Sequence, residues 1–195
     1  FKNIIIPISK SGVVHMDIKP ENMLIKETRY GISLKLIDWG LAIFKVTFAN
    51  DEIYKPFQYN LPFGCILLSR AAQTLINNLL KKGKSPVAIS KAVMLHSVDV
   101  DIGHYKIIHK YLSILFPNSD PDRIIINNIS TIIDKYTTTH NNTRHFEAKK
   151  YITDVFFQNC DFYGYLTVYQ ELLLSCPENN QLKDRLTKIL WTYMY

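Results

Sequence analysis

Apolar and polar positions follow two different rhythms along this chain. Near the start, two short apolar runs, Met23-Leu24-Ile25 and Leu34-Lys35-Leu36-Ile37, flank a polar stretch, residues 26–33, that contains Gly31. Short apolar runs on either side of a glycine-bearing polar turn predict a β-hairpin. From position 64 onward the rhythm changes to threes and fours. Cys65, Leu68, Ala72, Leu75, Ile76 and Leu79 predict a helix that ends at Gly83. Ser85-Pro86 opens a second helix toward His96, and Tyr105, Ile108, Leu112 and Leu115 share one face of a third over 102–116. Asp120-Pro121 supplies a cap and a first-turn proline for a helix over 122–136. Residues 137–143 read as a polar loop and 145–157 as helix. Residues 179–195 read as a last helix with Leu182, Leu186, Ile189 and Leu190 inward. Ahead of the hairpin, residues 1–11 read as the tail of a helix that Pro7 disturbs and Gly12 ends. The class is mainly α with a small β-hairpin.

Composition narrows the function classes. The 195 residues suffice for one substantial core or two small ones, and 47% hydrophobic with 21% charged is ordinary for a globular chain. No apolar run approaches the roughly 20 residues of a membrane span, so no membrane partner is expected. No signal peptide opens the chain, and the absent initiator Met reads as a piece of a longer protein. Cys65, Cys160 and Cys176 are odd in number and far apart, which reads as a reduced, intracellular (cytoplasmic) setting. The sequons at Asn128 and Asn141 then carry no meaning. His104 with His109, and His140 with His145, are five apart, a poor spacing for one helical face and for zinc. Net charge is +6, but Lys81-Lys82-Gly83-Lys84 is the one dense basic cluster. It reads as a solvated helix end, with no aromatic-basic stripe beside it, so nucleic acid is not expected as a partner.

Candidate chemistry concentrates in residues 13–42. A hairpin brings its outer ends together. Asp17 and Asn22 enter it, Asp38 leaves it, and Lys19 stands beside them. Two carboxylates, an amide and an ammonium suit a divalent cation with a phosphate: hard oxygen ligands for Mg²⁺ and a cation for phosphoryl charge.

These residues resemble the catalytic core of protein kinases. The catalytic-loop pattern H-R-D-L-x-x-x-N appears as His15-Met16-Asp17-Ile18-Lys19-Pro20-Glu21-Asn22, and D-F-G as Asp38-Trp39-Gly40. The resemblance implies that Asp17 orients or accepts the proton of a substrate hydroxyl. It implies that Lys19 neutralises the transferring phosphoryl group, and that Asn22 and Asp38 hold Mg²⁺ against the phosphates of ATP. A lysine two residues after the aspartate favours serine/threonine substrates in a protein partner. His15 is expected to pack under the Asp-Trp-Gly turn, and Trp39 to pack in the core.

The resemblance continues with departures. Residues 41–62 occupy the place of the activation segment. Leu61-Pro62-Phe63 stands for A-P-E, with a packed aromatic where the family has a glutamate. Met16 replaces the arginine that would pair with an activation-loop phosphate, so activity is expected not to depend on phosphorylation of Thr47, Tyr54 or Tyr59. Replacing all three with residues that cannot be phosphorylated is expected to leave turnover of the full-length protein intact. Asp161-Phe162-Tyr163-Gly164 resembles the start of the lobe's central helix, D-x-W-S-x-G, whose aspartate accepts backbone hydrogen bonds from the catalytic loop; the competing reading is a helix cap. Leu166 departs from the family's glycine. A Gly-rich loop and strand lysine have no candidates upstream.

Residues 1–195 therefore read as a partial kinase domain, its carboxy-terminal lobe, with 64–158 a helical insertion and most of the amino-terminal lobe missing. The Tyr-Asn-Leu-Pro-Phe corner at 59–63 and Asp-Ile-Gly-His-Tyr at 101–105 resemble divergent kinases of large DNA viruses, for which the setting would be host cytoplasm. The function implied is transfer of the ATP γ-phosphoryl group to a protein hydroxyl, by a piece that is inactive without its other lobe. The alternative is a pseudokinase or binding scaffold on the same fold.

Overall fold

In the computed structural model of the chain, the described residues are 4–45, 58–100, 102–175 and 181–194. Helices dominate, joined by three two-stranded antiparallel sheets among the described residues. Helix α1, Ile5–Lys10, is a short turn in which Pro7 takes the third position, where its missing N–H costs nothing. Gly12 follows at φ +76, the left-handed conformation that lets the chain leave the helix. Strand β1, Val13–Val14, then enters the candidate loop.

The hairpin expected between 23 and 37 forms as β2, Met23–Thr28, and β3, Gly31–Leu36, paired from Met23↔Leu36 to Thr28↔Gly31. Strand β4, Ile43–Phe44, returns to β1 with Val13↔Phe44 and Val14↔Ile43 in register. Lys45 N donates to Gly12 O at 2.8 Å, closing that ribbon. The polar loop between β1 and β2 and the turn between β3 and β4 are thus drawn to one end of the two sheets.

The helix read over 65–83 is two elements. Phe63–Leu68 is a buried 3-10 turn, and α2 is Arg70–Lys81. Ser69 separates them because its hydroxyl caps α2, accepting from Ala72 N at 3.1 Å. Ala72, Ile76 and Leu80 then form the buried stripe, and Gly83 (φ +70) ends the run as expected. Helix α3, Pro86–Val100, runs four residues past His96, where its expected stretch stopped, and helix α4, Ile102–Leu115, follows its pattern. Helix α5, Pro121–Lys135, starts where Asp120 accepts from Asp122 N at 3.0 Å, with Ile125, Ile129 and Ile133 inward.

The expected loop at 137–143 is instead part of a hairpin. Strand β5, Thr137–His140, pairs with β6, Thr143–Phe146, across Asn141 (φ +48) and Asn142 (φ +61). Two asparagines in the left-handed region make the primed turn that tight hairpins need, and a threonine-rich strand suits β structure. Phe146 N donates to Asn77 Oδ1 at 3.0 Å, fixing β6 against α2. The helix expected over 145–157 therefore starts later. Helix α6 is Ala148–Tyr151, followed by a π-helical turn, Ile152–Phe156.

Helix α7, Phe157–Ser175, is the long element that backs the candidate loop, and α8, Gln181–Met194, packs on it. On α8 only Leu186 and Leu190 of the four residues read as inward are buried. Leu182 and Ile189 are 49% and 42% exposed. Residues 64–158 do not form a separate core. Val14 and Met16 belong to the same buried cluster as Leu67, Ile76, Ile89, Ile129 and Phe156. Cys65 and Cys160 are buried free thiols, and burial pushes Cys65 up to about 12, far from a reactive thiolate. Cys176 lies outside the described residues. No helix among the described residues is long and apolar enough to cross a membrane.

One close approach ties α7 to the loop. A Cβ on Gly164 would sit 2.7 Å from Ile18 O, 3.0 Å from Ile18 Cβ and 3.1 Å from Asn60 O. Alanine would return up to about 1 kcal/mol of helix propensity. The collision with backbone costs about 1–3 kcal/mol. The net loss expected for Gly164→Ala is about 1–2 kcal/mol, which lowers the melting midpoint by roughly 2–8 °C. A midpoint that stays level or rises in a thermal melt would contradict the packing described.

Candidate active site

The loop between β1 and β2 is held from behind by one carboxylate. Asp161 lies inside α7, not at its start, so the helix-cap reading is set aside. His15 N donates to Asp161 Oδ1 and Oδ2 at 3.1 and 2.9 Å, and Met16 N donates to Oδ1 at 3.0 Å. This is the contact that the resemblance implied. It also explains how Met16 keeps φ +67, a left-handed conformation that costs a non-glycine residue about 1–2 kcal/mol. Charge-assisted bonds to two buried N–H groups offset that cost. Burial pushes the Asp161 carboxyl up; the bonds from His15 and Met16 pull it down but do not outweigh the burial. The Met16 side chain is fully buried, its sulfur 3.8 Å from Cys160 Sγ.

Ahead of Met16, His15 is also fully buried. Its Nδ1 accepts from Asp17 N at 3.3 Å, so the proton is on Nε2, which donates to Ile37 O at 3.2 Å. Its ring centroid is 4.5 Å from that of Trp39. His15 thus links the loop to the turn after β3, as expected. Trp39, however, is not a core residue: it is 45% exposed, one face on His15 and Nε1 donating to Leu36 O at 3.4 Å.

Three of the four candidate residues converge directly. The Asp17 side chain is nearly buried, and Lys19 Nζ donates to its Oδ2 at 2.9 Å. Asn22 Nδ2 donates to Asp17 O at 2.8 Å and to Oδ2 at 2.9 Å. Burial pushes the Asp17 carboxyl up. Bonds from Lys19 and Asn60, the Lys19 charge and the bond from Asn22 more than reverse this, and the group sits below its ordinary 3.8. Asn22 is brought here by a 3-10 turn, Pro20–Asn22, in which Asn22 N donates to Lys19 O at 3.1 Å.

The ribbon brings the backbone of Asp38 to the same end of the hairpin, but its carboxylate makes no hydrogen bond or ion pair with Asp17, Lys19 or Asn22. Ile37 N donates to Asn22 O at 3.0 Å, one step beyond the last ladder pair, which sets Asp38 beside the end of the loop. Asp38 is exposed at φ +60, and its Oδ1 accepts from Gly40 N at 3.4 Å. Aspartate tolerates that conformation better than most residues do.

The donor set fits a hard cation. Both amide hydrogens of Asn22 are spent on Asp17, which leaves Oδ1 as its remaining ligand atom. An amide oxygen and a carboxylate are the oxygen donors magnesium takes, with water and phosphate completing its shell. Among the described residues no three His, Cys, Asp or Glu side chains come together as a metal cluster. His104 instead stacks on Tyr59 at 5.6 Å, and His109 Nε2 lies 3.2 Å from Asp122 Oδ1.

One residue of the cluster was not singled out from the sequence. Asn60 is 1% exposed, and its Nδ2 donates to Asp17 Oδ1 at 2.9 Å and to Ile18 O at 3.2 Å. The signal available was an amide immediately before the Leu61-Pro62-Phe63 corner, too common a residue type to single out. That corner itself is buried at Leu61 and Phe63, so an aromatic does pack where the family has a glutamate. Thr47 and Tyr54 lie outside the described residues. Tyr59 is half-buried, its hydroxyl 3.4 Å from Glu21 Oε2.

Comparison with known proteins gives short local similarities to protein kinases. The chain is 58% identical over 33 residues to calcium-dependent protein kinase 6 of Oryza sativa subsp. japonica, covering 17% of this chain and 6% of that one. It is 35% identical over 72 residues to fhkB of Dictyostelium discoideum, described as a probable serine/threonine-protein kinase, covering 37% of this chain and 6% of that one. It is 46% identical over 57 residues to smooth-muscle myosin light chain kinase of Gallus gallus, covering 25% of this chain and 3% of that one. The chain thus spans a small part of the relatives it matches. No family model matches. No solved structure matches. What these similarities establish is a protein-kinase-like region in a mostly helical chain.

Proposed function

We propose that this chain is the carboxy-terminal lobe of a serine/threonine protein kinase, with residues 64–158 as helical additions to that lobe. The observation that carries the reading is the hydrogen-bonded set Asp17–Lys19–Asn22 at the mouth of a hairpin whose other strand delivers Asp38. Kinase-like similarity in short stretches supports it, as does the anchoring of the loop by Asp161.

In this reading ATP with Mg²⁺ supplies the phosphoryl group. Asn22 Oδ1 and the Asp38 carboxylate would hold the cation, which would supply positive charge to the phosphates. Asp17 orients a serine or threonine hydroxyl of a protein substrate and takes its proton as the oxygen bonds to phosphorus, while the bond to the ADP leaving group breaks. Lys19 faces the charge on the transferring group. His15 and Asp161 touch no reactant; they hold the loop in place. Ile25 and Ile32, 68% and 74% exposed on the hairpin, are the apolar surface against which the amino-terminal lobe implied by the resemblance would close the cleft.

The test is ATP-dependent phosphate incorporation into serine-, threonine- and tyrosine-containing peptides by the full-length gene product, beside Asp17→Asn. Transfer to serine or threonine that the variant loses supports the reading. Equal, nonzero transfer by both proteins removes Asp17 from the role. Binding of Mg·ATP without turnover by the wild type favours the scaffold reading instead.

A further inference from the structure

We infer that Asn60 is a positioning residue for the phosphoryl transfer: it fixes the rotation of the Asp17 carboxylate and thereby aims the one lone pair left for the substrate hydroxyl. The inference rests on the kinase reading and goes beyond it, since Asn60 lies outside the catalytic-loop and Asp-Trp-Gly motifs and the corner at 59–63 gave it no role.

The geometry is a two-sided clamp. Asp17 Oδ2 is held by Lys19 and Asn22, both at 2.9 Å. Those two donors restrain the carboxylate from one edge only, and each hydrogen bond alone tolerates a swing of some tens of degrees. Asn60 supplies the bond on the other oxygen, Oδ1, at 2.9 Å. Its second amide hydrogen goes to Ile18 O at 3.2 Å, so the amide plane cannot swing away. Asn60 is itself pinned. Its carbonyl is packed against Gly164 of α7, Leu61 beside it is 1% exposed, and Tyr59 on its other side stacks on His104.

A buried amide in that place has a specific chemical use. An aspartate that must accept a proton needs to be ionised and to present a lone pair in one direction. A neutral donor on Oδ1 keeps the carboxylate ionised without adding a second cation that would compete for the phosphoryl group. A serine in its place keeps a donor but shortens it; an aspartate keeps the shape but removes the donor and adds a like charge.

The experiment compares wild type, Asn60→Ala, Asn60→Ser and Asn60→Asp in the full-length gene product. It reads kcat and KM for ATP against pH, with a thermal melt of each. The expected result is a fall in kcat of roughly 10²-fold for Asn60→Ala, the scale of a misplaced reacting group. KM for ATP is expected to stay within about twofold, and the acid limb of kcat/KM to move to higher pH as Asp17 loses a bond to its charged form. Asn60→Ser is expected to recover part of kcat, and Asn60→Asp to lose the most. If Asn60→Ala folds and keeps its kcat and acid limb, the inference is overturned and the kinase reading stands. If activity falls only in step with loss of folded protein, with no change in the pH profile of the folded fraction, the inference is likewise overturned. If wild type transfers no phosphate, the kinase reading fails and this inference with it.

Discussion

Asp17→Asn is expected to lower phosphoryl transfer by about 10²–10⁴-fold, the range that a positioned proton acceptor contributes. The substitution is isosteric, so the fold should survive. Its chemistry does not: an amide has no negative charge to attract the hydroxyl proton. It also presents an NH₂ to one of the two sides already crowded with donors, Lys19 and Asn22 on Oδ2 or Asn60 on Oδ1. Affinity for Mg·ATP should change far less, because the proposed cation ligands are Asn22 and Asp38. The pH profile gives a second reading. Hydrogen bonds and the Lys19 charge hold the Asp17 carboxyl below 3.8 in spite of its burial. The wild-type acid limb that belongs to Asp17 therefore lies below the ordinary carboxylate range, and turnover should be flat from neutral pH down to that range. The same shift makes Asp17 stabilising above its unfolded value, a contribution lost as pH falls through its lower folded value. A steep loss of kcat/KM between pH 6 and 7 that disappears in Asp17→Asn would contradict this assignment.

Asp161→Ala is the second large effect, and it falls on stability before activity. The substitution leaves His15 N and Met16 N without acceptors in a region where both residues are fully buried. An orphaned buried donor costs about 1–3 kcal/mol. Met16 also loses the bonds that offset its left-handed backbone. A loss of about 2–4 kcal/mol is expected in chemical denaturation, with Asp17, which follows Met16 directly, and Asn22, which is bonded to Asp17, released together. Asp161→Asn is expected to be milder, since one side-chain oxygen at the Oδ1 position still accepts from both N–H groups. The sign with pH follows from burial, which raises the Asp161 carboxyl against the pull of its hydrogen bonds. The folded state then binds more protons than the unfolded state between 3.8 and the raised value, so this group's contribution falls as pH rises through that window. Wild type minus Asp161→Asn should show that slope. A difference that instead grows more favourable to wild type as pH rises would contradict it.

Much of the local structure was legible from side-chain type alone. The Met23-to-Thr28 and Gly31-to-Leu36 hairpin, the Asp120 cap and the stop at Gly83 are each set by neighbours a few residues apart. The misreadings were local as well. Ser69 was overlooked as a cap inside a continuous apolar rhythm, and Asn141-Asn142 as a primed turn between threonine strands. Both signals were present in the chain and were outweighed by periodicity and by polarity.

The candidate site divides along the same line. Asp17, Lys19 and Asn22 lie within six positions, and their types and spacing identified them because a short loop brings them together whatever the rest of the chain does. The hairpin that carries Asp38 to the same end of the ribbon was legible too, because its pairing rule is also short-range. Asn60 could not follow: it is 43 positions from Asp17, and only the packing of Leu61, Phe63 and Gly164 puts its amide on that carboxylate. Asp161, 146 positions from His15, was reached through a family resemblance rather than through spacing. Trp39 shows the reverse, an apolar residue that composition assigns inside and the ribbon leaves half outside. The chain by itself decided which groups stand at the loop. The tertiary structure decided which way the central carboxylate faces, because orientation depends on donors that distant segments bring and sequence distance carries no direction.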